Sequence, residues 1–153
     1  AKKRPIVRDV PRTKPVSAPA QPKPPMVTGI FMDLKLQCYI VVVEGFKAVM
    51  RIAQAGISSV VGLLGSYLSE EQQWALERAG CPLLFMLDNN DAGQTGQLDA
   101  CRRLVETVPE VYVVEYDAPQ PSDLALAAIP EVIVQARPFI LWAIQAATQR
   151  QQP

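Results

Sequence analysis

From Tyr39 onward, β-branched runs alternate with stretches whose apolar residues recur at helical spacing. Tyr39-Ile40-Val41-Val42-Val43 is an unbroken apolar run, the pattern of a strand covered on both faces. Glu44-Gly45 ends it. Phe46, Val49, Met50, Ile52 and Ala53 then form one helical stripe, and Gly56 supplies the stop. Ser58 to Val61 predicts a second strand running into Gly62-Leu63-Leu64-Gly65. Ser69 with Gln72 three residues later makes a capping box, so a helix is expected from there to about Gly80. Pro82 to Leu87 predicts a third strand, stopped by Asp88-Asn89-Asn90-Asp91. A long helix follows from about Gly93 to Thr107, and Val111 to Tyr116 makes a fourth strand.

Four β-rich runs separated by helices predict an α/β fold with a mostly parallel sheet. Residues 129–153 read as a C-terminal helical segment with Pro138 as a break or kink. Its apolar residues Val132, Ile133, Phe139, Ile140 and Ile144 suit core packing, and docking of a partner is the alternative. Trp74 and Trp142 stand alone on helices, where packing is the expected role. Arg102 and Arg103 suit the C-terminal end of the long helix dipole.

Charge changes this picture at the N-terminus. The 153 residues carry 15 Lys+Arg and 15 Asp+Glu, yet residues 1–25 hold seven basic residues and one acid. Half of the 14 prolines lie there too. A disordered, basic, proline-rich linker is expected over 1–25, then a lead-in over 26–38 that is either an edge strand or irregular. The linker has no apolar h-region and does not read as a secretory signal. No apolar run reaches the roughly 18 residues of a membrane span.

Composition removes several chemistries. With no histidine, Ser-His-Asp and Cys-His catalysis and His-ligated zinc or haem are excluded. Cys38, Cys81 and Cys101 are odd in number and widely spaced. They read as unpaired thiols, with no zinc site and a reducing, cytoplasmic compartment expected.

Ligands of open parallel sheets bind at the carboxyl ends of the strands. Glu44 ends the first strand, Asp88 the third, with Asp91 close behind, and Asp117 and Asp123 follow the fourth. Such carboxylates are hard oxygen ligands suited to Mg²⁺, which keeps water and phosphate oxygens in its shell. Acid-glycine pairs in loops are also ordinary turns, and periodicity does not separate the two.

Three segments carry a resemblance: Val41-Val42-Val43-Glu44-Gly45-Phe46, Gly62-Leu63-Leu64-Gly65-Ser66 with Leu68-Ser69-Glu70-Glu71-Gln72, and Leu87-Asp88-Asn89-Asn90-Asp91-Ala92-Gly93. Over about residues 39–125 the chain resembles a Toprim domain, a Rossmann-like fold, most of all that of bacterial replicative primases. The resemblance implies that Glu44 is the acid/base or metal-binding glutamate. It makes Asp88 the first aspartate of an Asp-x-Asp metal motif, backed by Asn90, Asp91 and Asp123. Gly45, Gly65 and Gly93 shape the loops, and Lys47 is a possible phosphate contact. The implied cofactor is Mg²⁺, with Mn²⁺ as a substitute, and the partners are DNA or RNA and nucleotides. If the C-terminal helix docks a partner instead of packing on the core, replication proteins are the class to expect.

Departures from the family pattern bear on activity. Ala48 stands where primases usually carry an aspartate, Asn90 replaces the second aspartate of Asp-x-Asp, and Gln120 and Ser122 occupy often acidic positions. Each exchange removes a charge that would hold the cation. Two functions follow: a Mg²⁺-dependent, primase-like module of a larger protein within residues 39–128, or a catalytically weakened domain that binds DNA or a protein. A receiver-like phospho-acceptor domain also ends its third strand in an aspartate. It needs an acidic pair after the first strand and a lysine late in the sheet, and the sequence offers neither convincingly.

Overall fold

In the computed structural model, which describes residues 38–149, the first strand is β1 (Ile40–Val43). It leads into helix α1 (Phe46–Gln54), then β2 (Val60–Gly62) and α2 (Glu70–Ala79). Strand β3 (Leu83–Phe85), α3 (Asp91–Leu104) and β4 (Val111–Val113) come next. A 3₁₀ turn (Pro121–Asp123), α4 (Ala128–Val134), β5 (Arg137–Pro138) and α5 (Phe139–Gln149) complete the order. The expectations for residues 1–37 lie outside the described residues.

The sheet runs β2-β1-β3-β4-β5. The first four strands are parallel, as the alternating pattern requires, with Val41 opposite Val60 and Leu84. β5 adds a short fifth strand to the about four expected. Arg137-Pro138 pairs antiparallel with β4 at the sheet edge, where proline's missing N–H leaves no ladder bond unmade. Pro138 therefore breaks the C-terminal segment into α4 and α5.

Alternate strand residues divide the core into two layers. Val42, Leu83, Phe85 and Val113 face Leu76 of α2, Ala100, Cys101 and Leu104 of α3, and Phe139 of α5. Val41, Val43, Leu84, Met86 and Tyr112 face Ala48 and Ile52 of α1 and Ile129 and Ile133 of α4. Both faces of the central strands are covered, which explains their unbroken apolar runs.

The Ser69 box forms in full. Ser69 Oγ accepts from the Gln72 backbone N–H, and Gln72 Oε1 accepts from the Ser69 N–H at 2.9 Å. Ser69→Ala is expected to cost about 1 kcal/mol, read as a lower urea midpoint.

Three sequence expectations change. Cys38 and Cys81 form a disulfide with their Cα atoms 5.9 Å apart, because each residue lies two positions before one of the paired strands β1 and β3. Parallel pairing across 43 residues of chain brings them together, so unpaired thiols no longer argue for a reducing compartment. Only Cys101 is free among the described cysteines, buried in the core. Trp74 is exposed instead of packed, with the Arg78 guanidinium 4.6 Å from its ring centre. On the C-terminal segment Ile133 and Phe139 are core, but Ile140 and Ile144 are each 60% exposed.

Candidate active site

The chain passes from β1 out to β2 and returns to β3 on the other side, so a crevice opens between the carboxyl ends of β1 and β3. Those two ends carry Glu44 and Asp88. The predicted pair is brought together by topology.

Each approach to the crevice is anchored. Leu63 N–H bonds the Val43 carbonyl at 2.9 Å, and Leu64 N–H bonds the Glu44 carbonyl at 2.8 Å. Leu64 carries the one positive φ among non-glycine residues described, 59°. On the other side Leu87, directly before Asp88, is gripped at both ends of its backbone. Its N–H donates to Gln97 Oε1 at 3.2 Å, and its carbonyl accepts from the Tyr116 hydroxyl at 2.6 Å. Asn89 Nδ2 donates to the carbonyls of Tyr116 and Ala118, both at 2.8 Å, tying this loop to the one after β4.

The electrostatics single out three carboxylates. Burial, then the Asp88 charge, raises the Glu44 pKa above the usual glutamate value, and the Asp88 backbone N–H opposes this. Asp88 is raised by burial and then by Asp123. Burial and the charges of Asp88, Glu44 and Asp123 hold the Tyr116 phenol well above its ordinary range. Among the described residues Glu44 Oε2 is the one buried side-chain polar atom without a hydrogen-bond partner. A buried carboxylate oxygen beside a second carboxylate, with nothing to neutralise it, fits a small hard cation.

The remaining predicted residues have other positions. Asn90 caps α3, its Oδ1 accepting the Gly93 N–H at 2.8 Å, so its side-chain oxygen is already engaged. Asp91 is exposed in the first turn of α3. Asp123 is exposed in the 3₁₀ turn and accepts from Gln120 Nε2 at 3.0 Å. Lys47 is exposed on α1 next to the Gly45 turn. Among the described residues no three acidic or cysteine side chains converge closely enough to cage an ion.

The glycines differ from expectation as well. Gly93 is required, since a Cβ there would overlap the Asp88 carbonyl oxygen. Gly45 and Gly65 correct the loop-shaping expectation: both have open space around an added Cβ and neither has a positive φ. The strained conformation of that loop falls on Leu64 instead. Tyr116 and Gln97 were missed from sequence. Gln97 had a signal, a polar residue on the buried face of α3 beside Gly93, Ala100 and Leu104.

Comparison with known proteins agrees with this fold. The model of the Toprim domain matches residues 39–115, half of the chain. A DNA primase of Staphylococcus epidermidis is 30% identical over 82 residues, covering 54% of this chain and 14% of that protein. One of Rickettsia bellii is 40% identical over 55 residues, covering 36% and 9%. A DNA primase domain from Pseudomonas aeruginosa superposes with a TM-score of 0.63 at 28% identity, over 73% of this chain and 38% of that one. The RNA polymerase domain of Mycobacterium tuberculosis primase DnaG in complex with double-stranded DNA gives a TM-score of 0.60 at 26% identity, over 73% and 38%. The chain thus spans a small part of the length of these relatives. With the β1–β3 crevice, its Glu44–Asp88 pair and the match over residues 39–115, the chain belongs to the Toprim domain family.

Proposed function

We propose that this chain is the Mg²⁺-dependent Toprim module of a larger, primase-like protein that transfers nucleotidyl groups in DNA replication or repair. The observation that carries the reading is Glu44 Oε2, buried, unpartnered and next to Asp88. Asp88 would be the principal ligand and Asp123 its support, with Mn²⁺ able to replace Mg²⁺. When bound, the ion would neutralise charge developing on phosphate oxygens. Glu44, whose proton is held more tightly than in an ordinary glutamate, is the proposed acid/base group. DNA, RNA or nucleotides are the proposed partners, in keeping with the DNA-bound Mycobacterium structure. Among the described residues no helix is long and apolar enough to cross a membrane. A cytoplasmic location and docking of replication proteins on α5 belong to the same proposal.

Backbone amide NMR during Mg²⁺ and Mn²⁺ titration tests the reading. Saturable shifts confined to Glu44, Gly45, Asp88 to Gly93 and Asp123 are the expected result. No shift at millimolar metal would favour a second reading, a weakened domain that binds nucleic acid or protein. Specific observations speak for that alternative: Asn90 is engaged as a cap, and Ala48, on α1, is buried in the core. Binding indifferent to chelator and steeply weakened by salt would be its signature.

A further inference from the structure

A cavity of about 500 Å³ lies between α3 and α5 over the ends of β3 and β4, and Asp88 forms part of its wall. Its size suits a mononucleotide. The floor is apolar, from Leu87 and Val113, the Trp142 indole forms a side, and Arg102 contributes a guanidinium. Gln97 is the decisive residue. It is 7% exposed, the one buried polar side chain in the described core, and it lines this cavity.

Packing accounts for half of Gln97. Its oxygen accepts the Leu87 N–H, which holds the backbone before Asp88. Its amide nitrogen makes no hydrogen bond among the described residues and is not among the buried unpartnered atoms, so its two N–H donors are open to the cavity. An apolar floor, an indole, amide donors and a guanidinium together match a nucleobase, which stacks on its faces and accepts hydrogen bonds on its edge.

We propose that this cavity receives the base of a nucleotide whose phosphate lies at the Glu44–Asp88 crevice. The proposal rests on the metal reading of that crevice, since Asp88 alone would repel a phosphate. Gln97 donates to a carbonyl or ring nitrogen of the base, and Trp142 packs against its face. The Toprim site then has a base-binding arm built from α3 and α5, on the side of the sheet away from α1.

The test uses the whole chain with Trp74→Phe, which leaves Trp142 as the sole tryptophan reporter. GMP and AMP are titrated in millimolar Mg²⁺, with pyrophosphate as the base-free control. Saturable quenching of Trp142 by the nucleotides and not by pyrophosphate is expected. Ala146→Leu, which narrows the cavity from α5, and Gln97→Glu, which keeps an oxygen for Leu87 but loses the donors, are each expected to weaken nucleotide binding about tenfold or more. The Mg²⁺ shifts at Gly45 and Asp88 should persist in Ala146→Leu. Nucleotide affinity unchanged in both variants overturns the base site. So does a chain that binds Mg²⁺ but shows no nucleotide response, and the crevice reading then survives. Absence of both responses overturns the two together.

Discussion

Gly96→Ala is expected to destabilise the domain by about 3 kcal/mol or more, against the direction that helix propensity alone would give. Gly96 lies inside the 14-residue helix α3, where alanine is normally worth about 1 kcal/mol over glycine. Here an added Cβ would overlap the Ser66 carbonyl oxygen and crowd the carbon behind it. Both atoms are backbone, so relief requires the loop after β2 or the helix itself to move. That loop also holds the Leu64 bond to the Glu44 carbonyl, and its displacement reaches the crevice. Urea unfolding of Gly96→Ala beside Thr95→Ala, an exposed neighbour on the same helix, makes the comparison internal. Thr95→Ala should be neutral or slightly stabilising. A Gly96→Ala variant as stable as the wild type would mean that the loop and α3 are not in contact.

Glu44→Gln is expected to lose metal affinity by about 100-fold or more while making the metal-free domain more stable at neutral pH. Burial and Asp88 raise the Glu44 pKa in the folded chain, so the folded state keeps this proton to higher pH than the unfolded chain does. Stability from this group is therefore fully present below the unfolded value and lost as pH rises through the folded one. Glutamine removes that loss. In chelator, the stability advantage of Glu44→Gln should open as pH rises above the ordinary glutamate value and level off once the folded chain has lost this proton. Millimolar Mg²⁺ should stabilise the wild type and not the variant, narrowing or reversing the difference. Asp88→Asn should behave in the same direction, because burial and Asp123 raise Asp88 likewise. A variant whose stability tracks the wild type across that range, with and without Mg²⁺, would show that Glu44 is neither strained nor a ligand.

Much of this protein is local in origin. The run Ile40 to Val43 is a central strand because its length and β-branching leave no amphipathic alternative, and Ser69 with Gln72 starts α2 wherever the helix lies in the fold. Glu44 and Asp88 could be named in advance because parallel sheets gather their strand ends on one side. The motifs around them are enough to identify the family.

Other properties belong to pairings between distant segments. Arg137-Pro138 is a strand only because β4 has an open edge beside it, and two residues carry no periodicity to reveal it. Cys38 and Cys81 meet because β1 and β3 are neighbours, which their spacing along the chain does not encode. Asn90 has the chemistry of a ligand, but at the start of α3 its oxygen is closer to a backbone donor that needs it. Tyr116 and Gln97 meet the backbone of the same residue, Leu87, from different segments, so neither is recognisable as a support of Asp88 until the sheet is assembled. Sequence by itself determined the four parallel strands with the helices between them, the family and the two carboxylates, since each depends on short-range pattern. Tertiary structure decided which groups hold those carboxylates, which candidate oxygens are already engaged, and where a cavity opens beside them, because each depends on contacts between residues far apart in the chain.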